Sequence, residues 1–182
     1  QNVPEEINRR IVDNFADFNF AYTNNARENL IREGVHPRNT AVIGSPLCEV
    51  ISNFRTEIES SNILKELKIE SGKYFLVSAH RQENVDDPER LMALVHTLNE
   101  IAKQYKMPII ISTHPRTKSK LDQLKVEQNS LLNFHQPFGF IEYCKLQKES
   151  RIVLSDSGSI SEEAVILGFK AITIRDSMER PE

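Results

Sequence analysis

The feature that most constrains this chain is a regular alternation of short apolar runs with amphipathic helical segments through its second half. The apolar runs predict buried strands at residues 74–78, 108–112, 131–134, 152–154 and 171–174. Between these runs, apolar residues recur at helical spacing, as in the segment that Asp87 and Pro88 open. Continuous apolar strands that alternate with helices favour right-handed crossovers. We therefore predict an α/β fold, with a parallel sheet covered by helices on both faces.

Residues that start and stop helices predict where the helices lie. Pro4 suits a first helical position, Thr23 suits a helix cap, and Gly34 and Gly168 suit the left-handed residue that ends a helix. The predicted helices cover residues 4–15, 24–33, 47–68, 115–124, 140–149 and 160–167, besides the one that opens at residue 87. Two further short strands are predicted in the first part of the chain, at residues 17–22 and 41–43.

A domain junction is predicted after the first fifty residues. The turn signal at Gly44, Ser45 and Pro46 precedes a rather polar segment, which places the junction between Gly44 and Ser71. The 182 residues leave room for one full α/β domain and part of another. Because the chain lacks an initiating Met and ends without a closing helix, we expect it to be a truncated piece of a longer protein.

Composition narrows the possible partners. The net charge of −3 and the pI near 6.0 argue against a broad nucleic-acid surface. No segment has the roughly 20 consecutive apolar residues of a membrane span. Cys48 and Cys144 show no C-x-x-C spacing and have apolar neighbours, which favours buried free thiols in a reducing compartment. We therefore expect a cytoplasmic protein without a nucleic-acid or membrane partner.

Polar clusters follow the predicted strands at the point where each strand ends. They lie at residues 78–84, 113–116, 155–159 and 175–182. In a parallel sheet the carboxyl ends of the strands share one edge, and ligands bind beyond that edge. Four polar loops on one edge therefore predict a binding site.

The clearest of these clusters is segment 155–163, Ser-Asp-Ser-Gly-Ser-Ile-Ser-Glu-Glu, at a strand-to-helix turn. A helix start offers free backbone N–H groups, the hydroxyls of Ser157 and Ser159 can donate to phosphate oxygens, and Gly158 admits a close approach. We interpret the turn as a diphosphate cradle. Glu163, about one turn into the helix, is placed to accept from two ribose hydroxyls. The alternative is that the Asp and Ser residues only cap the helix.

A second cluster combines an imidazole with a guanidinium. Histidine is the side chain type poised near neutral pH, and arginine can recognise phosphate through paired donors, so His80 and Arg81 together suit a departing diphosphate. The alternative is a structural histidine, with Arg81 and Glu83 paired on the surface. His114, in the weaker cluster that ends at Arg116, has the alternative of capping the next helix.

The sequence predicts no metal and no cofactor. His80, His114 and Asp156 lie on separate loops and lack the short spacing of zinc ligands, so a metal is disfavoured. Neither the Walker-type glycine-rich loop nor the G-x-G-x-x-G dinucleotide motif is present in the sequence.

Four motifs in combination carry a family resemblance. They are Pro-Glu-Glu-x-Asn-Arg at 4–9, His-Arg-x-Glu-Asn at 80–84, Ser-Asp-Ser-Gly-x-Ile-x-Glu-Glu at 155–163 and Glu-Arg-Pro-Glu at 179–182. In content and order they resemble the non-hydrolysing UDP-N-acetylglucosamine 2-epimerase family. The motifs span nearly the whole chain, which makes the combination far more specific than any one of them.

The resemblance implies a fold and an activity. The family has two Rossmann-like domains that face a cleft, in a glycosyltransferase-B-like architecture. By that template residues 1–50 are the tail of the N-terminal domain with the hinge, and residues 51–182 are most of the C-terminal, UDP-binding domain. The implied function is 2-epimerisation of a UDP-N-acetylhexosamine for surface polysaccharide synthesis, by a homodimer when intact. The family's earlier strands are absent, so we expect this chain alone to be inactive.

The resemblance also implies roles for individual residues. Glu5 matches a glutamate implicated in acid/base chemistry, and His80 matches a histidine at the sugar–diphosphate junction. The residues expected to bind UDP are Arg81, Ser157, Gly158, Ser159, Glu163 and Arg180. Ser159 stands where many family members have a second glycine, a departure that could tighten the cradle.

Two segments bear on which sugar is bound. Residues 138–140 and 45–50 resemble the branch that makes UDP-N-acetyl-L-fucosamine from a 2-acetamido-2,6-dideoxy-L-talose nucleotide. Aromatic residues at 138–143 are candidates to bracket the uracil, with core packing as the alternative. A glycosyltransferase of related architecture and a UDP-binding module without turnover are the alternative functions.

Overall fold

The computed structural model describes residues 4–79, 86–113, 117, 120–121 and 128–174, with the side chains of Pro4 and Glu5 left out. The chain divides into two compact units, with the boundary between Glu49 and Val50. We describe each unit by itself.

The first unit contains two helices and a two-stranded parallel sheet. Its elements are α1 (Pro4–Phe15), β1 (Asn19–Ala21), α2 (Asn24–Arg32), a 3-10 helix (Pro37–Asn39) and β2 (Thr40–Val42). The Thr23 hydroxyl accepts a hydrogen bond from the Ala26 N–H at 3.1 Å, which caps α2 as predicted, and Gly34 follows the helix with φ +102°. Ala21, Leu30 and Val35 form the small core of this unit.

Arg9, a residue of the first motif, connects the two helices of this unit. Its guanidinium binds both carboxylate oxygens of Glu33 at 2.9 Å and contacts Glu6 and Asp13 on its own helix. Hydrogen bonds from Arg9 and Arg10 lower the pKa of Glu6 to about 2. The charged residues Glu6, Arg9 and Arg10 therefore have a structural role within the unit.

The second unit carries the alternating pattern. α3 (Leu47–Asn53) crosses the unit boundary. The remaining elements are α4 (Arg55–Ser60), α5 (Ile63–Glu66), β3 (Phe75–Ser78), α6 (Pro88–Tyr105), β4 (Ile109–Ser112), β5 (Leu132–His135), α7 (Phe140–Glu149), β6 (Ile152–Ser155), α8 (Ile160–Leu167) and β7 (Ala171–Thr173). The predicted helix at 115–124 falls largely outside the described residues.

The prediction of one helix over residues 47–68 is wrong. The segment forms the three short helices α3, α4 and α5, which break at Phe54 and at residues 61–62. Each of these helices buries one isoleucine: Ile51, Ile58 or Ile63. Three short helices allow each isoleucine to reach the interior separately. One straight helix over the same residues would leave some of these isoleucines exposed.

All five strands of the second unit are parallel, in the order β5-β4-β3-β6-β7. The chain moves outward from β3 to β4 and β5, and then returns to place β6 on the other side of β3. The order therefore reverses between β3 and β6. The sheet is parallel, as the alternation of strands and helices predicted, and it is Rossmann-like, as the family resemblance implied.

Alternate residues of the central strand β3 pack on opposite faces of the sheet. Phe75 and Val77 join a core cluster with residues of α6, including Leu91 and Val95. Tyr74 and Leu76 point to the other face and pack with α5, α7 and α8. Because successive side chains of a strand point to opposite faces, both faces are covered by helices. The predicted three-layer α/β fold is confirmed.

The prediction for the cysteines is half right. Both thiols are free, and Cys144 is buried on α7, but Cys48 is exposed. Cys48 lies in the first turn of α3, whose one fully buried residue is Ile51. Apolar neighbours in the sequence therefore did not indicate burial here, because the helix is short and mostly exposed.

Candidate functional site

The candidate site lies at the edge of the five-stranded sheet where the carboxyl ends of its strands meet. Strand register aligns the last residues of five parallel strands across that edge: His135, Ser112, Ser78, Ser155 and Thr173. Ser78 and Ser155 end β3 and β6, the pair between which the strand order reverses. In open α/β sheets, ligands bind outside the carboxyl ends of the strands at such a reversal. Polar strand ends thus line the place where this topology predicts a ligand.

The turn from β6 to α8 continues directly from this reversal. Asp156 is only 1% exposed, and its N–H donates to the Ser78 carbonyl at 3.2 Å, which ties the turn to β3. The Ser157 N–H donates to the Ser155 hydroxyl at 3.1 Å. Residues 157–159 themselves are only half-buried. Hydrogen bonds to Ser78 and Ser155 therefore fix the start of the turn, while residues 157–159 at its tip remain accessible.

Ser157 and Ser159 converge at that tip. Their hydroxyl oxygens are 2.9 Å apart, and the Ser157 hydroxyl accepts from the Ser159 N–H at 3.3 Å. Ser159 precedes the first residue of α8, yet its side chain makes no capping hydrogen bond to the helix. The simple capping alternative is thus not supported for Ser159. The start of α8 carries the positive end of the helix dipole, which suits an anion.

Glu163 is held from two sides. The Ser159 hydroxyl donates to one carboxylate oxygen, Oε1, at 2.6 Å, and Nε2 of Gln147 donates to the other, Oε2. Ser159 comes from the start of the same helix, whereas Gln147 comes from α7. The carboxylate predicted to accept ribose hydroxyls therefore has a fixed orientation next to the two serines.

The charge of the Glu163 carboxylate affects the pKa values of Tyr143 and Cys144 in α7. The pKa of Tyr143 is raised to about 12, chiefly by burial and also by the charges of Glu163 and Asp156, while a hydrogen bond with Ser78 acts in the opposite direction. Burial, followed by the charge of Glu163, raises the pKa of Cys144 to about 11. Both groups are therefore neutral at physiological pH, and Tyr143 presents a neutral phenol beside the end of β3.

Sequence reasoning missed Gln147 of α7, and it named Tyr143 only among the aromatic residues at 138–143 that could bracket the uracil. Tyr143 and Gln147 lie four residues apart, so they project from the same face of the helix toward the β6–α8 turn. The one available signal was a glutamine at an otherwise apolar, core-facing position of the helix, beside the buried Leu146. Phe138 and Tyr143 pack against the core, whereas Phe140 is exposed and pairs edge-to-face with Phe54 at 5.9 Å.

Several predicted site residues lie outside the described residues. These are His80, Arg81, His114, Arg116 and Arg180, and the side chain of Glu5 is likewise not described. The structure thus brings together Ser157, Ser159 and Glu163, with Gly158 between the serines. Among the described residues, no group of three or more His, Cys, Asp or Glu side chains is arranged to hold a metal. Within the same residues, no helix combines the length and hydropathy needed to cross a bilayer.

The sequence matches one family model over its whole length. The model is described as UDP-N-acetylglucosamine 2-epimerase, and the match covers residues 1–182. A relative from Methanocaldococcus jannaschii, named UDP-N-acetylglucosamine 2-epimerase, is 37% identical over 100% of this chain and 52% of its own length. The chain therefore spans about half the length of such relatives.

Solved structures agree with the fold. The structure of the M. jannaschii enzyme in complex with UDP-GlcNAc and UDP superimposes with a TM-score of 0.88 at 37% identity, over 99% of this chain and 51% of that one. The Rickettsia bellii UDP-N-acetylglucosamine 2-epimerase structure gives a TM-score of 0.83 at 38% identity, over 100% of this chain and 48% of that one.

Proposed function

The chain belongs to the UDP-N-acetylglucosamine 2-epimerase family, and on that premise we propose that it is the UDP-binding part of an enzyme that inverts C2 of a UDP-N-acetylhexosamine. The observation that carries the proposal is the arrangement at the β6–α8 turn. There the two serine hydroxyls, the start of α8 and the fixed Glu163 carboxylate lie together. The helix start and hydroxyls suit a diphosphate, and the carboxylate suits a ribose diol.

The chemistry requires strong binding of the diphosphate. The C2 hydrogen of the sugar has no adjacent carbonyl, so simple deprotonation would be prohibitively slow. In the proposed reaction a base removes the C2 proton while the bond from C1 to the UDP oxygen breaks, which leaves a glycal and free UDP. Protonation of C2 on the opposite face and return of UDP to C1 complete the inversion. Donors that stabilise the charge developing on UDP lower the barrier for both steps.

We assign the other residues by motif. Glu5 takes part in acid/base chemistry at C2, and His80 acts at the junction of sugar and diphosphate. Arg81 and Arg180 bind the diphosphate, since a guanidinium presents paired donors to phosphate oxygens. Residues 1–50 belong to the N-terminal domain and hinge, and residues 51–182 to the UDP-binding domain. A cytoplasmic homodimer that needs no cofactor completes the proposal.

The proposed substrate is UDP-N-acetylglucosamine. The family model and the relatives reported above are described by that sugar, so they do not favour the fucosamine-forming branch that residues 138–140 and 45–50 resemble. The M. jannaschii structure in complex with UDP-GlcNAc and UDP supports a site for the same nucleotide sugar in this chain.

Isotope exchange tests the proposed reaction. A longer protein that contains this chain is incubated with UDP-N-acetylglucosamine in heavy water, and deuterium at C2 is followed by NMR and mass spectrometry. We expect deuterium to enter C2 as the 2-epimer appears, because the proton removed exchanges with solvent. The deoxy-talose nucleotide, assayed beside it, should react more slowly. Transfer of the sugar to an acceptor without exchange at C2 would instead identify a glycosyltransferase.

A further inference from the structure

A buried glutamine contacts the candidate ribose-binding carboxylate. Gln147 lies in α7 and is 0% exposed. Its Nε2 donates to Oε2 of Glu163, while the Ser159 hydroxyl donates to Oε1 of the same carboxylate at 2.6 Å. Each oxygen of Glu163 therefore receives one hydrogen bond from a different helix end, which fixes the plane of the carboxylate.

This glutamine is a costly residue to bury. Its Oε1 atom is buried and has no hydrogen-bond partner among the described residues. A buried amide oxygen without a hydrogen-bond partner destabilises the folded state, whereas a leucine of similar size would fill the same core position without that penalty. Its neighbour Leu146, also fully buried, shows that this helix face otherwise takes apolar residues. Stability alone therefore does not explain an amide here, and its contact with Glu163 does.

The fixed carboxylate still has capacity for a ligand. A carboxylate offers about four acceptor positions, two on each oxygen. Gln147 and Ser159 occupy one on each, which leaves one on each oxygen for an incoming donor. Two neighbouring ribose hydroxyls supply two such donors. The number of remaining acceptor positions therefore matches the two donors of a vicinal diol.

We propose that Gln147 is a positioning residue, which holds the Glu163 carboxylate in the orientation that accepts both ribose hydroxyls of UDP. This inference rests on the proposed function, because it takes UDP as the ligand. Gln147 acts through Glu163 and does not touch the nucleotide itself. Loss of the amide should therefore weaken recognition of the ribose and leave recognition of the diphosphate unchanged.

The test compares two ligands on the Gln147→Leu variant of the chain. Calorimetric titration measures Kd for UDP and for 2′,3′-dideoxy-UDP, which lacks both hydroxyls. We expect the wild type to bind UDP roughly tenfold more tightly than the dideoxy analogue, which corresponds to about 1.4 kcal/mol. In Gln147→Leu that preference should fall to about twofold or less, with the Kd of the dideoxy analogue unchanged.

Tyr74→Phe is the matched control. The Tyr74 hydroxyl donates to the Leu146 carbonyl at 2.6 Å, so this variant loosens the same helix without changing the amide. We expect it to lower the thermal midpoint and to keep the wild-type preference for UDP. If Tyr74→Phe loses the preference equally, the effect comes from the packing of α7 and the positioning role is refuted.

A second variant gives a signature that a packing role would not produce. Gln147→Glu places two carboxylates in contact, so one of them binds a proton with a raised pKa. Once protonated, the carboxyl group of the Gln147→Glu variant regains a donor toward Glu163. Its UDP affinity relative to wild type should be low at pH 8 and should recover as the pH falls toward 5. Tyr143 and Cys144, with pKa values of about 12 and 11, do not titrate in this range.

The outcomes separate the two proposals. If the wild type binds UDP and the dideoxy analogue equally, or binds neither, the ribose site itself is wrong and the proposed function fails with it. If the wild type discriminates and Gln147→Leu discriminates equally well, the ribose site stands and the role of Gln147 is refuted. Loss of discrimination in Gln147→Leu, together with recovery of Gln147→Glu at low pH, supports the proposal.

Discussion

Replacing Ser157 with aspartate is expected to weaken UDP binding on the order of 100-fold. Ser157 lies at the tip of the β6–α8 turn, with its hydroxyl 2.9 Å from that of Ser159. A carboxylate there would repel the diphosphate, and two like charges about 4 Å apart interact by about 4 kcal/mol at an effective dielectric constant near 20. Because the site is half-exposed, solvent screening reduces this figure to about 3 kcal/mol, or roughly 100-fold. Calorimetric titration with UDP measures the effect.

Ser52→Asp is the matched control for that variant. Ser52 is exposed on α3, so the same charge is added on an element that does not form the β6–α8 turn. We expect this control to bind UDP like the wild type, and both variants to keep the wild-type thermal midpoint within a few degrees. A Ser157→Asp variant that binds UDP within threefold of the wild type would show that the diphosphate does not lie at this turn.

Replacing Leu76 with alanine is expected to lower the free energy of unfolding by about 2–5 kcal/mol. Leu76 is 0% exposed in the central strand β3, where it packs with residues of α7 and α8. Truncation loses the transfer free energy of the side chain and leaves a cavity that the surrounding strands close only partly. Urea denaturation followed by circular dichroism measures the loss, since the chain has no tryptophan to report it.

Val165→Ala serves as the reference for Leu76→Ala. Val165 is 84% exposed on α8, so its truncation should change the free energy of unfolding by less than about 0.5 kcal/mol. A loss at Leu76 no larger than that at Val165 would mean that the face of the sheet toward α7 and α8 is not a packed core. The helix that carries Gln147 would then lack the support that the positioning role requires.

Much of the fold could be read from local signals. Pro4 starts α1, Thr23 caps α2, and Gly168, with φ +75°, ends α8 in the left-handed conformation that glycine adopts without strain. Buried parallel strands are continuous apolar runs, so β3 and β4 were found within a residue of their bounds. The prediction of one helix over residues 47–68 failed because the positions of the helix breaks depend on which isoleucine reaches the core. That is a tertiary effect, which the local sequence does not record.

The candidate site was only partly predictable, for a similar reason. The grouping of Ser157, Ser159 and Glu163 could be predicted because they lie in one short segment at a strand end, where topology alone sets their edge of the sheet. Tyr143 and Gln147 reach the same place from α7, which precedes β6 in the chain. Their approach to Glu163 and Ser78 depends on how the helix packs on the sheet. A single sequence does not specify that packing.

The most direct test of the UDP site is a residue-resolved titration. ¹⁵N–¹H NMR spectra of the chain are recorded as UDP is added, with inorganic phosphate as a parallel titration. The account predicts that the backbone amides of residues 157–163 shift most with UDP, and that the Gln147 side-chain amide shifts with UDP and not with phosphate. Saturating shifts confined to other parts of the chain, with residues 157–163 unchanged, would contradict it.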